Sequence, residues 1–192
     1  SDDMYCVFLG KAVQTVNPPS GSVGISQLSA TGTKDATTFL RGDNTFASAG
    51  GDNTPAWFVT KTSAQSISNN TETVVSFETE EIDTDNAFSS NTTFTVPSGK
   101  AGKYFAFGQV RFETVSTFSY INAMIRHNST NVVAAWNANN AGGYSTIDVH
   151  CMVDLAETDT LKLICRQQSG GALNLGDFDR GHVVYFGGYK LI

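Results

Sequence analysis

The sequence predicts an all-β protein: a jelly-roll β-sandwich tip domain preceded by an extended stalk linker. Three observations favour this fold. Apolar and polar residues alternate in short runs, which is the period of a strand with one buried face. Glycine, threonine, serine and asparagine are abundant, whereas lysine and glutamate are scarce, as in short strands joined by tight turns. After Pro55 the apolar runs recur at regular spacing, which is typical of a sandwich.

Composition limits both the size of the core and the kind of partner. The 192 residues are 40% hydrophobic, enough for one sizeable core plus appendages. The net charge of -6 disfavours nucleic acid and anionic membranes, and no apolar run is long enough to span a bilayer. We therefore expect no nucleic-acid binding and no membrane insertion. Ser1 stands where an initiator methionine would, and no secretory signal follows it, so we expect the C-terminal piece of a longer polypeptide.

Three segments follow one another along the chain. Residues 1–16 are predicted to be the last strand of a truncated preceding module, because a lone strand is unstable. Residues 17–55 begin with Pro18 and Pro19 and carry only isolated apolar side chains, which favours a stalk or linker. Such a segment is either a flexible tether or a thin stalk in which several chains pool their apolar residues. Residues 56–192 form the predicted tip domain.

The tip domain is predicted to contain eight principal strands. In chain order they are residues 57–62, 72–78, 94–97, 103–112, 120–126, 146–155, 161–165 and 183–192. The clearest alternation lies in the sixth strand, where Ile147, Val149 and Val153 share one face while Asp148 and Asp154 occupy the other. The last strand is apolar to its end, so we expect it in the middle of a sheet.

The strand at residues 103–112 is apolar on both faces. Tyr104, Val110 and Phe112 point one way, whereas Phe105 and Phe107 point the other. A soluble sheet normally presents one apolar face to its own core. The second face therefore predicts contact with another sheet or another copy of the chain.

The cysteines are odd in number. Cys6, Cys151 and Cys165 show no C-x-x-C spacing, which argues against a disulfide scaffold and against a zinc knuckle. We expect them to behave as small hydrophobic residues. Cys151 and Cys165 occupy inward-facing positions on strands predicted to be adjacent. The sequence therefore allows a disulfide between them but does not require one.

A motif before the tip domain resembles a known linker. Residues 31–46, TGTKDATTFLRGDNTF, resemble a linker of bacteriophage tail-fibre proteins that precedes a C-terminal tip domain, and residues 9–23 are similar to the joint before it. The resemblance implies a virion location, with the rest of the fibre attached at the N-terminus. Arg41-Gly42-Asp43 is alternatively an adhesion tripeptide, but the linker explains more of its neighbours.

The tip domain resembles a second family. Residues 57–59, 94–107 and 186–191 are similar to the globular head of the q subcomponent of the first complement component, which shares a trimeric jelly roll with the tumour necrosis factor superfamily. That family usually has Gly-Asp where this chain has Thr158-Asp159, so we expect a differently shaped turn. The resemblance implies a homotrimer. Its candidate interface residues are Tyr104, Phe105, Phe107, Tyr185 and Tyr189.

A polar loop with aromatic ends is the candidate receptor site. Between Trp136 and Tyr144 the chain is rich in asparagine, and an exposed ring can stack on a sugar while amides bond its hydroxyls. The alternative is a plain turn whose tryptophan packs into the sandwich. The candidate receptor-binding residues are Trp136, Asn137, Asn139, Asn140, Tyr144 and Asn174.

An acidic segment is a weak candidate for calcium. Its candidate ligands are Glu81, Asp83 and Asp85, because calcium prefers oxygen-rich loops. Their spacing matches no recognised calcium loop, so we expect no cofactor. Calcium binding by these residues is kept as an alternative.

Catalytic motifs are missing from the sequence. The histidines His127, His150 and His182 are scattered and accompany no nucleophile elbow, P-loop or H-E-x-x-H. Asp177 and Asp179 could serve as the acid and base of a glycosidase, but loop carboxylates usually stay solvated. We expect no enzyme.

These observations together predict a function. We expect a homotrimeric receptor-binding adhesin at a phage tail-fibre tip, which recognises a glycan or another structure on the host cell surface. The alternatives are a tip depolymerase that cuts polysaccharide and a purely structural trimerisation cap.

Overall fold

The computed structural model describes residues 20–22, 24, 27, 29–48, 53–113, 119–138, 143–176 and 181–191. The predicted strand at residues 1–16, the amides Asn139 and Asn140, and the carboxylates Asp177 and Asp179 lie outside them. Every regular element of the described residues is a β-strand, which confirms the all-β prediction. The described part of the chain also contains no helix that could cross a membrane. Contacts divide the chain into two units, residues 1–50 and 51–192.

The strands are numbered in chain order. Their bounds are β1 Thr38–Leu40, β2 Phe46–Ser48, β3 Ala56–Thr60, β4 Gln65–Ile67, β5 Thr73–Val74, β6 Thr79–Asp83, β7 Phe88–Ser89, β8 Thr93–Thr95, β9 Gly102–Phe112, β10 Tyr120–His127, β11 Thr130–Asn137, β12 Ser145–Leu155, β13 Thr160–Gln168, β14 Leu173–Leu175 and β15 Tyr185–Lys190.

The first unit contains a small hairpin within the tail-fibre-like motif. β1 and β2 pair antiparallel, with Phe39 opposite Ala47. Asp43 closes the turn because its carboxylate accepts hydrogen bonds from the Thr45 N–H (3.1 Å) and hydroxyl (2.6 Å). Asn44 takes the left-handed φ of 61° that asparagine tolerates in turns. The motif therefore has local β-structure of its own.

The second unit is a sandwich of two antiparallel sheets. Sheet A has the order β4-β14-β9-β15-β3-β6, with β12 also paired to β9. Sheet B has the order β11-β10-β13-β8-β7, with β5 also paired to β13. The longest ladder joins β9 and β12, from Phe112 opposite Ser145 to Gly102 opposite Leu155. The last strand, β15, lies between β9 and β3, in the middle of sheet A as expected.

The core fills the space between the inner faces of the sheets. Trp57 of sheet A stacks on Phe94 of sheet B with 3.8 Å between ring centroids, and Phe186 meets Trp57 edge-on. Gly188 makes room for this tryptophan, because a Cβ there would lie 2.3 Å from Trp57 Cη2. Burying one such large side chain contributes roughly 1.5–3 kcal/mol. The aromatic stack therefore holds the two sheets together.

The side-chain alternation predicted for the long strands is confirmed. In β9, Tyr104, Val110 and Phe112 are buried in the core while Phe105 and Phe107 lie on the other face. In β12, Ile147 and Val149 are buried and the alternating positions are exposed.

The cysteine expectation needs a correction. Cys151 lies on β12 in sheet A and Cys165 on β13 in sheet B, so the two strands are not adjacent although a tight turn joins them. Both thiols are free. Burial raises the pKa of Cys165 to about 12 and also raises the pKa of Cys151, so both behave as apolar side chains.

Candidate functional site

The outward face of sheet A carries a continuous group of aromatic rings. This aromatic face consists of Phe58 of β3, Phe105 and Phe107 of β9, and Tyr185 and Tyr189 of β15. Strand register places the rings side by side: Tyr189 lies opposite Phe105, and Gly187 lies between Phe107 and Phe58. All five rings are only partly buried in the single chain.

The rings contact one another across the strands. Phe107 lies 6.0 Å from Phe105, 6.3 Å from Phe58 and 6.2 Å from Tyr185, measured between centroids. Gly187 permits this arrangement, because a Cβ there would lie 2.7 Å from Phe107 Cζ. The missing side chain lets neighbouring rings cover the strand. The result is one apolar surface rather than scattered rings.

Exposed aliphatic side chains extend the aromatic face at both edges. Met152 of β12 lies opposite Phe105 and is 76% exposed. Ile82 of β6 lies opposite Phe58 and is 49% exposed. Contiguous apolar surface of this kind marks an interaction site on a soluble protein.

Tyr104 does not belong to the aromatic face. Its side chain is 0% exposed within one chain and points into the core, on the opposite side of β9 from Phe105. Its hydroxyl donates to the carbonyl of Lys100 at 2.6 Å. Burial, with the nearby Asp85 charge, raises its pKa to about 12. The parity of the strand therefore removes Tyr104 from the candidate interface residues.

The outward face of sheet B carries a pocket of about 340 Å³. Three of its lining residues form one row across adjacent strands, because Asn122 of β10 lies opposite both Trp136 of β11 and Arg166 of β13. Tyr120 and Ala138 complete the lining. The volume is in the range of small-molecule sites.

Each wall of the pocket offers a different chemistry. Trp136 is 72% exposed and provides a flat apolar surface. Asn122 is 5% exposed, and its Oδ1 has no hydrogen-bond partner. The guanidinium of Arg166 lies 5.5 Å from the centroid of the Tyr120 ring, and its Nε also has no partner.

Asn70 positions the charged side of the pocket. Its Oδ1 accepts hydrogen bonds from the Tyr120 hydroxyl (3.1 Å) and from Nη2 of Arg166. Its backbone has a left-handed φ of 58°, and its N–H donates to the carbonyl of Gln167 at 2.7 Å. Tyr120 and Arg166 are therefore held in place before any ligand arrives.

Of the predicted receptor residues that the structure describes, only Trp136 lines this pocket. Asn137 ends β11 on the other parity. Tyr144 covers Arg111, with 4.5 Å from ring centroid to Cζ, and Asn174 donates to Glu113 at 3.2 Å; neither lines the pocket. The side chain of Trp136 is exposed and does not pack into the sandwich. The alternative of a plain turn with a buried tryptophan is therefore wrong.

Three lining residues carry a local sequence signal, but that signal does not show that they meet. Tyr120, Asn122 and Arg166 occupy outward positions of strands whose inward positions are apolar. The sequence did not show which strands are neighbours, and so their convergence was missed.

The calcium candidates are engaged with protein groups. Asp83 accepts the N–H groups of Ala87 (2.8 Å) and Phe88 (3.0 Å). Asp85 accepts the Thr84 hydroxyl at 2.8 Å, and Glu81 accepts the Thr60 hydroxyl at 3.3 Å. Among the residues that the structure describes, no three histidine, cysteine or acidic side chains are grouped to hold a metal ion.

The histidines likewise lie apart. His127 forms a 2.8 Å contact with Asp159 beside the β12–β13 turn. His150 lies 6.3 Å from Phe105 and His182 meets Phe58 edge-on, both at the border of the aromatic face. His150 and His182 therefore flank the aromatic face rather than the pocket.

Comparison with known proteins supports the jelly-roll fold. No protein-family model matches the chain, and no curated protein matches it in sequence. Among solved structures it is similar to the globular domain of the zebrafish complement 1qA protein. The TM-score is 0.52 at 13% identity, over 72% of this chain and 98% of that chain. The protein is therefore a complement-q-like jelly-roll sandwich, as the sequence predicted; at this identity the likeness concerns the fold alone.

Proposed function

We propose that the protein is a homotrimeric, non-enzymatic receptor-binding head at the tip of a bacteriophage tail fibre, and that it binds a glycan on the host cell surface. One observation carries the proposal. The aromatic face and the Trp136 pocket lie on the two opposite outer faces of one sandwich. Burying the first between copies of the chain leaves the second open to a ligand.

The aromatic face suits contact between copies. A complement-q-like fold is compatible with a trimer, and five partly exposed rings with Met152 and Ile82 form an apolar surface that association would remove from water. Three copies would present three pockets on one head. Weak sites combined in this way bind a repetitive cell surface far more strongly than one site does.

The fibre assignment is supported by the motif at residues 31–46, which contains the β1–β2 hairpin and precedes the head in the chain. On this proposal the protein is part of the virion, with the rest of the fibre attached at its N-terminus. The pocket chemistry, an exposed indole above a polar floor, favours a sugar over a protein surface as the receptor.

The test compares adsorption to susceptible cells by the purified wild type, Trp136→Ala and Val132→Ala. Val132 is exposed on the same strand but does not line the pocket, so it is the matched control. We expect Trp136→Ala to lower cell binding by about tenfold or more while Val132→Ala binds like the wild type. Melting temperatures should be unchanged, since both side chains are exposed.

A structural trimerisation cap is the second candidate, favoured by the aromatic face alone. It predicts full infection and full adsorption by Trp136→Ala phage, and that result would contradict the adhesin. The depolymerase alternative depends on Asp177 and Asp179, which lie outside the described residues. It predicts release of oligosaccharide from host glycan, which the adhesin does not.

A further inference from the structure

We infer that the Trp136 pocket takes an acidic sugar: a pyranose that carries a carboxylate or a phosphate group. This inference rests on the proposed glycan-binding function and specifies its ligand class. It depends on two buried polar atoms of pocket-lining residues that have no partner in the protein, Oδ1 of Asn122 and Nε of Arg166.

The first unused atom is on the pocket floor. Asn122 is nine-tenths buried, yet its Oδ1 has no partner, and its Nδ2 reaches only the sulfur of Met124 at 4.0 Å. A buried acceptor without a donor is costly, and such groups are usually satisfied. A sugar hydroxyl that reaches the floor would supply the missing donor.

The second unused group is the cation beside it. Arg166 is directly opposite Asn122 in register, and Asn70 accepts from Nη2 while Nε keeps no partner. A guanidinium fixed on one side by an amide and by the Tyr120 ring is preorganised to bind an oxyanion on another side. Neutral sugars have no group that matches this charge.

The surrounding charge favours an anion despite the net charge of the chain. The outward positions of β10, β11 and β13 carry Arg126, Lys162 and Arg166 and no carboxylate. Glu72 faces this surface too: it precedes Thr73, the partner of Cys165, so the register brings it beside Arg166, but its carboxylate is engaged in an ion pair with Arg126. Arg166 is the charged residue that lines the pocket itself.

The indole sets the geometry of the ligand. Trp136 and Arg166 flank Asn122 from opposite neighbouring strands, so they lie on the two sides of the floor. Adjacent strands are about 4.8 Å apart, so the two strands that flank β10 are roughly 10 Å apart, which leaves space for about one pyranose ring between their side chains. One sugar can then stack on Trp136 while its acidic substituent meets Arg166.

The experiment measures ligand binding to the purified protein by saturation-transfer NMR and titration. The probes are glucuronate, galacturonate and glucose 6-phosphate, against glucose and galactose as neutral counterparts. We expect the acidic sugars to bind at least about tenfold more tightly than the neutral ones, and less tightly as salt is raised. The uronates and the phosphate ester show which anionic group is preferred.

Two variants localise the effect. Arg166→Gln should remove the preference for acidic sugars without changing neutral-sugar binding, whereas Lys162→Gln, an equal charge change on the same face outside the pocket, should preserve it. The wild-type comparison holds even if Arg166→Gln fails to fold. Equal binding of acidic and neutral sugars, or no binding of any probe, would overturn the inference.

The proposed function fails in a different way. If Trp136→Ala still adsorbs to cells like the wild type, then the pocket is not the receptor site, and the adhesin proposal is wrong whatever the sugar preference. If Trp136→Ala loses adsorption but acidic sugars are not preferred, then only the ligand class is wrong.

Discussion

A single lysine is the most deeply placed charge described in the sandwich. The side chain of Lys61 is 1% exposed, and its Nζ donates to Glu78 (2.7 Å) and to the carbonyl of Ser76 (3.0 Å). Glu78 in turn accepts the N–H of Thr62 and the hydroxyl of Ser63, each at 2.8 Å. A buried cation is tolerated only with such partners, so this pair fixes the segments that flank β4 and β5.

The pKa of Glu78 reflects its ion pair with Lys61 and its other hydrogen bonds. Burial raises the pKa of this carboxyl, but the hydrogen bonds from Lys61, Thr62 and Ser63 together lower it below its ordinary 4.5. Because the folded-state pKa is depressed, the charged form contributes stability above pH 4.5, and that stability is lost as the pH falls through the folded-state pKa.

Replacing Glu78 by glutamine should therefore destabilise the protein in a pH-dependent manner. We expect a loss of about 2 kcal/mol in the free energy of unfolding at pH 7, below the value for a fully buried pair because Glu78 is partly exposed. The deficit should shrink below pH 4.5. Urea denaturation from pH 3 to 7 measures it. Glu80→Gln, an exposed carboxylate on β6, is the control, and an equal deficit at every pH would contradict the explanation.

At the scale of elements, the turn between β12 and β13 has an unexpected occupant. The sequence resemblance puts Thr158 where a glycine is usual, and the differently shaped turn expected from this stays a prediction. The φ of Thr158 is +69°, a conformation in which glycine is unstrained. Asp159 holds the turn because its carboxylate accepts the N–H of Ala156 (2.9 Å) and the amide of Asn128 (2.8 Å).

Thr158→Gly should consequently stabilise the protein. A β-branched residue in the left-handed region costs roughly 1–2 kcal/mol, and the extra chain entropy of glycine offsets about half of the gain. We expect a net increase of about 0.5–1 kcal/mol, measured by thermal and urea unfolding. Thr158→Ala, which keeps the strain of a Cβ, should gain less. A glycine variant less stable than the wild type would show that contacts of the threonine outweigh its strain.

The elements that the sequence predicted well are those with one uniform face. β9 and β12 alternate strictly, so their core positions, including Tyr104 and Val149, follow from the pattern. The sequence did not predict β11 as a strand, because both of its faces are apolar. Val133 and Ala135 point toward the core, whereas Ala134 and Trp136 point outward. Its strand state is set by pairing with β10, a long-range contact that no local pattern reports.

The same reasoning explains the candidate site. Trp136 was identified because an aromatic ring among amides is a local signal. Asn122 and Arg166 are 44 residues apart in sequence and meet only because β10 and β13 pair across the sheet. A site built across strands is invisible until the strand order is known.

At the scale of the whole molecule, the two outer faces of the sandwich differ in chemistry. Sheet A presents aromatic rings flanked by Met152 and Ile82, whereas sheet B presents cations and the pocket lined by Trp136 and Arg166. An exposed apolar sheet face is a liability for a protein that stays single, because it invites non-specific association. Closed threefold association would bury this surface with a defined geometry and would leave the pockets outward.

A charge placed on the aromatic face should therefore prevent the proposed trimer from forming without unfolding the chain. Met152 is the suitable position, because its side chain is largely exposed in one copy and adjoins Phe105. We expect Met152→Lys to sediment as a monomer at micromolar concentration while the wild type sediments as a trimer, since three unpaired ammonium groups would otherwise be desolvated. Val132→Lys, an exposed apolar position on sheet B, should remain trimeric. A monomeric wild type, or a trimeric Met152→Lys, would show that the aromatic face meets something other than this chain.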